Sequence, residues 1–448
     1  MHRKLVALVM VVAIAVPLAF ASGQGESEQA DSVTLSYLTW AGGGQRGADE
    51  RAVARFNEAN PGITVEAEFV PGDDYLSKLN TLIAADTPPD ISFLNEYLVH
   101  DWGAKGTIAD LTDYFYSAGS TLDPENFVEG ALFESNGKIW GATPGPEVIL
   151  VFFNKDVFAE YGVPLPSQDP ANPWTWDEFV QTAVQLTRDT AGRTPADAGF
   201  NPNAVRTWGV LQPTFWLFMM PLLYSNNASF GIDGGTEYGL DTPEAIEVIQ
   251  SIADLALVHR VAPTPAMQQA LPASSQMVIN GQLAMVISGQ WEVSTYGEEE
   301  YYEVGIAPLP MFERPANIAW GAGVVMYDGS AHKDEAWEFM KSYLDPEAGI
   351  QLSIDGSWMP NQKNWYTNPE LLARWTDNER HNDDFMAVVP EIATTIAEVP
   401  ENVTLRNFGP ITDLTTPALD EVWFGDAPAE EVLTDLRGTV SDLYVGSW

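Results

Sequence analysis

Trp291 closes the segment Asn280–Trp291, NGQLAMVISGQW, in which the apolar run Leu283-Ala284-Met285-Val286-Ile287 lies between Gly281 and Gly289. A short apolar run bounded by glycines predicts a parallel strand covered on both faces. Trp291 then emerges just past the strand's carboxyl end, the edge of an open α/β sheet at which small ligands bind. An indole there can stack on a ligand or can belong to the core. A second candidate is the loop Gly42-Gly43-Gly44-Gln45-Arg46-Gly47, which satisfies G-x-G-x-x-G, follows a predicted strand and is followed about 20 residues on by Glu66 and Glu68. That is the pattern of a dinucleotide site. Free nicotinamide cofactor is scarce outside the cytoplasm, so the favoured reading is a glycine loop open to close approach, with Gly43 and Gln45 within reach of a ligand and no cofactor.

Other reactive constellations are thin. The chain has no Cys, and His100, His259, His332 and His381 are too dispersed for H-E-x-x-H or any zinc spacing. No G-x-S-x-G elbow is present. Asp73-Asp74 and Asp383-Asp384 are adjacent carboxylates that point apart and read as solvated surface. Asn227-Ala228-Ser229 and Asn402-Val403-Thr404 fit a glycosylation acceptor, a pattern too common to weigh. Neither a catalytic group nor a metal site is expected.

The elements that would position these residues alternate between strand and helix. Val33–Trp40 is β-rich, residues 48–60 carry Val53 and Phe56 on one helical face, and Asn60-Pro61-Gly62 ends that helix. Thr64–Val70 alternates as a strand, and Leu76, Leu79, Leu82 and Ile83 share one side of a helix over 75–85. After Pro88-Pro89 the chain returns as a short strand over 90–95, closed by Asn95 and Glu96. This β-α-β-α-β order predicts a parallel sheet with right-handed crossovers. A second set follows: a strand at Ile149–Phe153, a capping box at Thr175-Trp176-Asp177-Glu178, a helix start at Thr242-Pro243, and amphipathic helices over 333–344 and 429–444.

His2, Arg3 and Lys4, the apolar stretch Leu5–Leu18 and Ala19-Phe20-Ala21 read as a signal peptide over 1–21, followed by a polar, disordered leader over 22–32. A lipoprotein would need a Cys at the cleavage point, so direct membrane insertion is not expected and the chain reads as periplasmic. Its length predicts two domains. The net charge of -42 repels nucleic acid and anionic lipid and favours an uncharged ligand, although a saline habitat would select the same acidity.

From about Val33 to Tyr444 the chain resembles the extracellular solute-binding proteins of bacterial ABC importers, in the carbohydrate-binding family that includes maltose-binding protein. The resemblance rests on motifs in order: Leu38-Thr39-Trp40 before the glycine loop, Phe56-Asn57 with Asn60-Pro61-Gly62-Ile63, and Lys78-Leu79 with Pro88-Pro89-Asp90-Ile91. They continue through Asn136-Gly137-Lys138-Ile139-Trp140-Gly141, Phe153-Asn154-Lys155-Asp156, Thr175-Trp176-Asp177-Glu178-Phe179, the segment ending at Trp291, and Ala336-Trp337-Glu338-Phe339.

The resemblance implies two α/β lobes, each a mostly parallel sheet flanked by helices. One would comprise 33–143 and 325–362, the other 147–321 and 363–448, joined by hinge crossings near Thr143–Glu147, Gly321–Met326 and 360–370. It implies a monomeric receptor that closes over a di- or oligosaccharide and delivers it to a membrane permease. Sugar C–H faces pack on aromatic rings, and buried hydroxyls need hydrogen-bond partners. The 15 Trp, 15 Tyr and 63 acidic residues supply both. Trp291 then matches the family's stacking tryptophan, and Glu147, seven residues before Asn154, matches a sugar-binding carboxylate. Asn95 and Glu96 would face the cleft, as would Trp40, Trp320 and Trp358. Arg406 and Phe408 lie where a C-terminal loop reaches it. Two alternatives stay open: a secreted glycoside hydrolase with two carboxyl groups roughly 5 to 10 Å apart, and a binder of polyol or glycerol phosphate, the latter needing a cationic cluster that the sequence does not display.

Overall fold

In the computed structural model, which describes residues 32–40, 42–298, 304–356, 358–378, 381 and 383–448, nine strands build two principal sheets. The expected signal peptide and most of the leader, residues 1–31, lie outside the described residues. The strands are Val33–Trp40 (β1), Ile63–Val70 (β2), Ile91–Leu94 (β3), Leu132–Ser135 (β4), Lys138–Ala142 (β5), Ile149–Asn154 (β6), Met285–Gly289 (β7), Val304–Ala307 (β8) and Gly323–Met326 (β9). The first sheet runs β2-β1-β3-β9-β5-β4 and the second β7-β6-β8.

Helices Gly43–Ala59 (α1) and Gly72–Ala84 (α2) link β1, β2 and β3, which pair parallel as a helical crossover requires. Ala48, Ala52, Val53 and Phe56 give α1 its buried stripe. The remaining helices used below are Glu96–Ala104 (α3), Trp176–Leu186 (α4), Trp216–Ser225 (α5), Pro243–Leu257 (α6), Glu401–Thr404 (α7), Phe408–Phe424 (α8) and Ala429–Val440 (α9). The capping box forms as expected, with Glu178 N–H donating to Thr175 Oγ1 at 3.2 Å and Thr175 N–H donating to Glu178 Oε2 at 2.9 Å.

Two expectations need correction. The run ending in Gly289 is a fully buried strand, but β7 pairs antiparallel with β6, and so does β8. The second sheet is therefore not a parallel one, and β9 also enters the first sheet antiparallel, beside β3. An unbroken apolar run reports burial on both faces and carries no sign of direction. Helix α1 opens at Gly43, five residues before the expected start, because the glycines read as loop already adopt helical backbone.

Three chain passages join the sheets side by side. Glu147 and Trp320 form an antiparallel bridge, with Glu147 N–H donating to Trp320 O at 2.7 Å and Trp320 N–H to Glu147 O at 3.2 Å. Met359 N–H donates to Pro146 O at 3.0 Å, and Asn361 Nδ2 donates to Thr143 O at 2.9 Å. Glycine is required by this packing: a Cβ at Gly321 would lie 2.2 Å from Thr143 Oγ1, and one at Gly145 would lie 2.2 Å from Met359 O.

Candidate ligand-binding site

Directionality explains where the side chains converge. The parallel strands β1 and β3 end at the same edge of the first sheet at which antiparallel β9 begins. In the second sheet, β7 ends where β6 begins. The two edges face each other across the passages, and a cavity of about 250 Å³ lies between them. Trp40 reaches it from the end of β1, and Phe93, Asn95 and Glu96 from the β3–α3 junction. Glu147 and Trp320 arrive from the bridged passages, Trp358 from the third passage, and Trp291 from just beyond β7. Phe215, the N-cap of α5, and Trp216 and Leu217 in its first turn complete the lining.

The indoles are held in defined orientations. Trp291 lies 6.2 Å from Phe218 in a near-parallel stack and 6.1 Å from Trp320 edge-on. Trp40 is edge-on to Phe93 at 4.7 Å and to Tyr75 at 5.3 Å. Trp358 packs on Phe93 at 5.7 Å. A Cβ at Gly289 would fall 1.9 Å from the Trp291 ring, so the indole occupies space that only glycine leaves open.

Two carboxyl groups face the same space. Burial pushes Glu147 well above the usual carboxylate range, the nearby Glu96 adds to the shift, and a hydrogen bond from the Trp358 indole opposes it. Burial also raises Glu96, against the pull of its own backbone N–H and of Asn402. Asn402 Nδ2 donates to Glu96 Oε1 at 2.6 Å and is itself fully buried. The chemistry offered is a set of flat apolar faces around acceptors and protonatable carboxyls, suited to an uncharged, hydroxyl-bearing guest. Among the described residues, no group of His, Cys, Asp and Glu side chains is placed to hold a metal ion.

Of the residues singled out from the sequence, Trp291, Glu147, Asn95, Glu96, Trp40, Trp320 and Trp358 all line this cavity. Asn95 is the N-cap residue of α3 but makes no capping hydrogen bond through its side chain. Gly43 and Gln45 fall in the first turn of α1, and their side-chain surroundings lie outside the described residues. Arg406 and Phe408 are not brought to the cavity. The Arg406 guanidinium lies 4.4 Å over the Trp448 ring, which in turn packs on His100 at 5.8 Å. Phe408 is buried edge-on beneath Trp216 at 4.9 Å and against Phe230 at 5.5 Å. Sequence reasoning missed Phe215 and Trp216, although an aromatic pair directly after Pro213-Thr214, opening a helix, is a usable signal. It also missed Asn402, whose sequon points to the surface and carries no hint of burial.

The comparisons agree with this geometry. The sequence model for bacterial extracellular solute-binding proteins matches residues 41–350. The erythritol/L-threitol-binding protein of Mycolicibacterium smegmatis is 25% identical over 292 residues, covering 62% of this chain and 56% of that protein. The diacetylchitobiose-binding protein of Streptomyces coelicolor is 22% identical over 382 residues, covering 82% and 84%. An ABC substrate-binding protein of Listeria monocytogenes, solved in complex with cycloalternan, superposes with a TM-score of 0.77 at 24% identity, covering 92% of this chain and 99% of that one. With two facing sheets, bridged passages and a match over most of its described length, the chain belongs to the bacterial extracellular solute-binding protein family.

Proposed function

We propose that the protein is a non-enzymatic periplasmic receptor that captures a neutral sugar between its lobes and delivers it to the permease of an ABC importer. In this reading the bodies that close are 33–143 with 325–362 and 147–321 with 363–448, moving about the three passages. The observation that carries it is the ring of indoles from both sheets around Glu96 and Glu147. The relatives that bind diacetylchitobiose and cycloalternan support a saccharide. Closure of this kind draws its free energy from contacts that the ligand makes only in the closed state.

A panel of neutral mono- and oligosaccharides and polyols, screened by thermal shift and intrinsic tryptophan fluorescence, tests the assignment. At least one sugar should raise the melting temperature and change the emission. Trp291→Ala should weaken that sugar by about 1.4 to 2.8 kcal/mol, roughly ten- to a hundredfold, with little change in unliganded melting. Silence across the panel sinks the assignment, and new reducing ends appearing over hours would instead point to a hydrolase using Glu96 and Glu147. The modest cavity and the erythritol/L-threitol relative favour a polyol as the second reading; tighter binding of tetritols than of any sugar would select it.

A further inference from the structure

Capture of a neutral sugar leaves the charge balance of the cavity unexplained. Glu96 is buried and Glu147 half-buried on the same space, and the described lining contains no Lys, Arg or His. The basic group one turn along α3, His100, is lowered to about 4 by burial and so stays neutral, with its Nδ1 3.2 Å from Ser135 Oγ. Arg406 lies over the Trp448 ring instead. The other titratable groups around the pair add no positive charge: Tyr97 beside Glu96, Glu401 beside Asn402, and Glu292, which takes a hydrogen bond from the Trp291 indole. Donors reach the two acids unevenly. Glu96 accepts from Asn402 Nδ2 at 2.6 Å and from its own backbone N–H, whereas the described donor to Glu147 is the Trp358 indole. Ionising both acids here without a counter-charge is costly.

Around these acids stand five indoles, those of Trp40, Trp216, Trp291, Trp320 and Trp358. Neighbouring rings meet at steep angles, Trp291 with Trp320 at 89° and Trp40 with Phe93 at 74°. Rings set as corners offer π-faces to a central guest from more than one side, and a desolvated organic cation is attracted to such faces. The cavity of about 250 Å³ falls below the roughly 300 to 1,000 Å³ usual for small-molecule sites, which suits a guest of few heavy atoms. The net charge of -42 draws cations toward it. A cation entering supplies the missing counter-charge, so that Glu147 can release its proton to solvent and remain ionised.

We propose that this cavity is also a binding site for a small alkylammonium cation, its methyl groups on the indole faces and its charge beside Glu96 and Glu147. This goes beyond the receptor reading above, since it needs no sugar. Calorimetry with choline, with tetramethylammonium and with the neutral isostere of choline in which carbon replaces the quaternary nitrogen tests it, in about 0.15 M salt to screen the surface charge. Both cations should bind the wild-type chain, and choline should bind at least about tenfold more tightly than its isostere, which has the same shape and no charge. Glu147→Gln should reduce that preference. The double variant Glu96→Gln, Glu147→Gln should bring choline and the isostere within about twofold of each other. Equal affinity of the two in the wild type overturns the cation site without recourse to any variant, as does no binding of either cation. A preference left intact in the double variant overturns it too, by placing the cation elsewhere on the acidic surface. None of these results bears on the sugar panel, and silence across that panel would sink the sugar receptor while leaving a cation site standing.

Discussion

A methyl group at position 289 cannot coexist with the Trp291 ring where it now lies, since the two would meet at 1.9 Å. This turns a backbone position into a test of the site. Gly289→Ala should expel the indole from the cavity wall and weaken sugar binding by at least about tenfold, close to the effect of Trp291→Ala. Calorimetry on both variants checks it; if Gly289→Ala binds like wild type, the indole face is not where the sugar rests. At this scale the sequence was informative wherever a residue's place follows from the end of an element. Trp40 ends a strand, Trp291 follows one, and Asn95 and Glu96 follow another and open a helix. Phe215 and Trp216 escaped because their exposure depends on how α5 is laid over Phe408, a tertiary fact. Arg406 drew attention because the resemblance brings a C-terminal loop to the cleft there, yet a distant ring, Trp448, claims it.

The four residues of α7 connect the two sides of the cleft. The Glu401 carboxylate accepts from Phe230 N–H at 2.7 Å and Gly231 N–H at 2.8 Å, and Glu401 N–H donates to Tyr224 Oη at 3.0 Å. Those partners lie on or beside α5, which packs on β7 of the second sheet. The next residue, Asn402, donates to Glu96 at the edge of the first. We predict that this bond favours the closed arrangement before any ligand arrives. Asn402→Ala should enlarge the unliganded radius of gyration in small-angle scattering and cost about 1.5 to 3 kcal/mol of sugar affinity, the usual worth of a hydrogen bond to a charged or protonatable group. An unchanged radius and affinity would confine Asn402 to a local role. Elements themselves were largely legible, since the Thr175 capping box and the Pro243 start are local chemistry that the fold keeps. Strand direction was not. A strand buried on both faces has the same composition whichever way it runs, so β7 could be placed as a strand but not oriented.

Over the whole molecule, the acids that fold inward set a pH dependence opposite to that of ordinary acid denaturation. Burial raises Asp49 to about 7, against hydrogen bonds from Tyr343 and Thr39, and raises Glu401 to about 7 against its two backbone donors. Glu96 and Glu147 shift in the same direction. A carboxyl whose folded value exceeds its unfolded one binds its proton more tightly when folded. Its contribution is complete below the unfolded value near 4 and is lost as pH rises through the folded value. His100, lowered to about 4 by burial, works the other way, but only between about 4 and 6.5. Carboxylates held low by hydrogen bonds, such as Asp189 at about 2, are ionised in both states above about pH 5 and drop out of the balance there. The unliganded protein should therefore melt at a higher temperature at about pH 5.5 than at about pH 8, the loss accumulating between those values and slowing once pH passes about 7. The net charge of -42 adds self-repulsion that grows as the last carboxyls ionise, so raising the salt should recover part of the loss at the alkaline end. Asp49→Asn separates the two contributions: it keeps the shape of the buried Thr39–Asp49–Tyr343 cluster while removing its titration. At high salt, where surface repulsion is screened, melting temperature should fall less steeply with pH in that variant than in the wild type, and an undiminished slope would take Asp49 out of the balance and leave it to Glu401, Glu96 and Glu147.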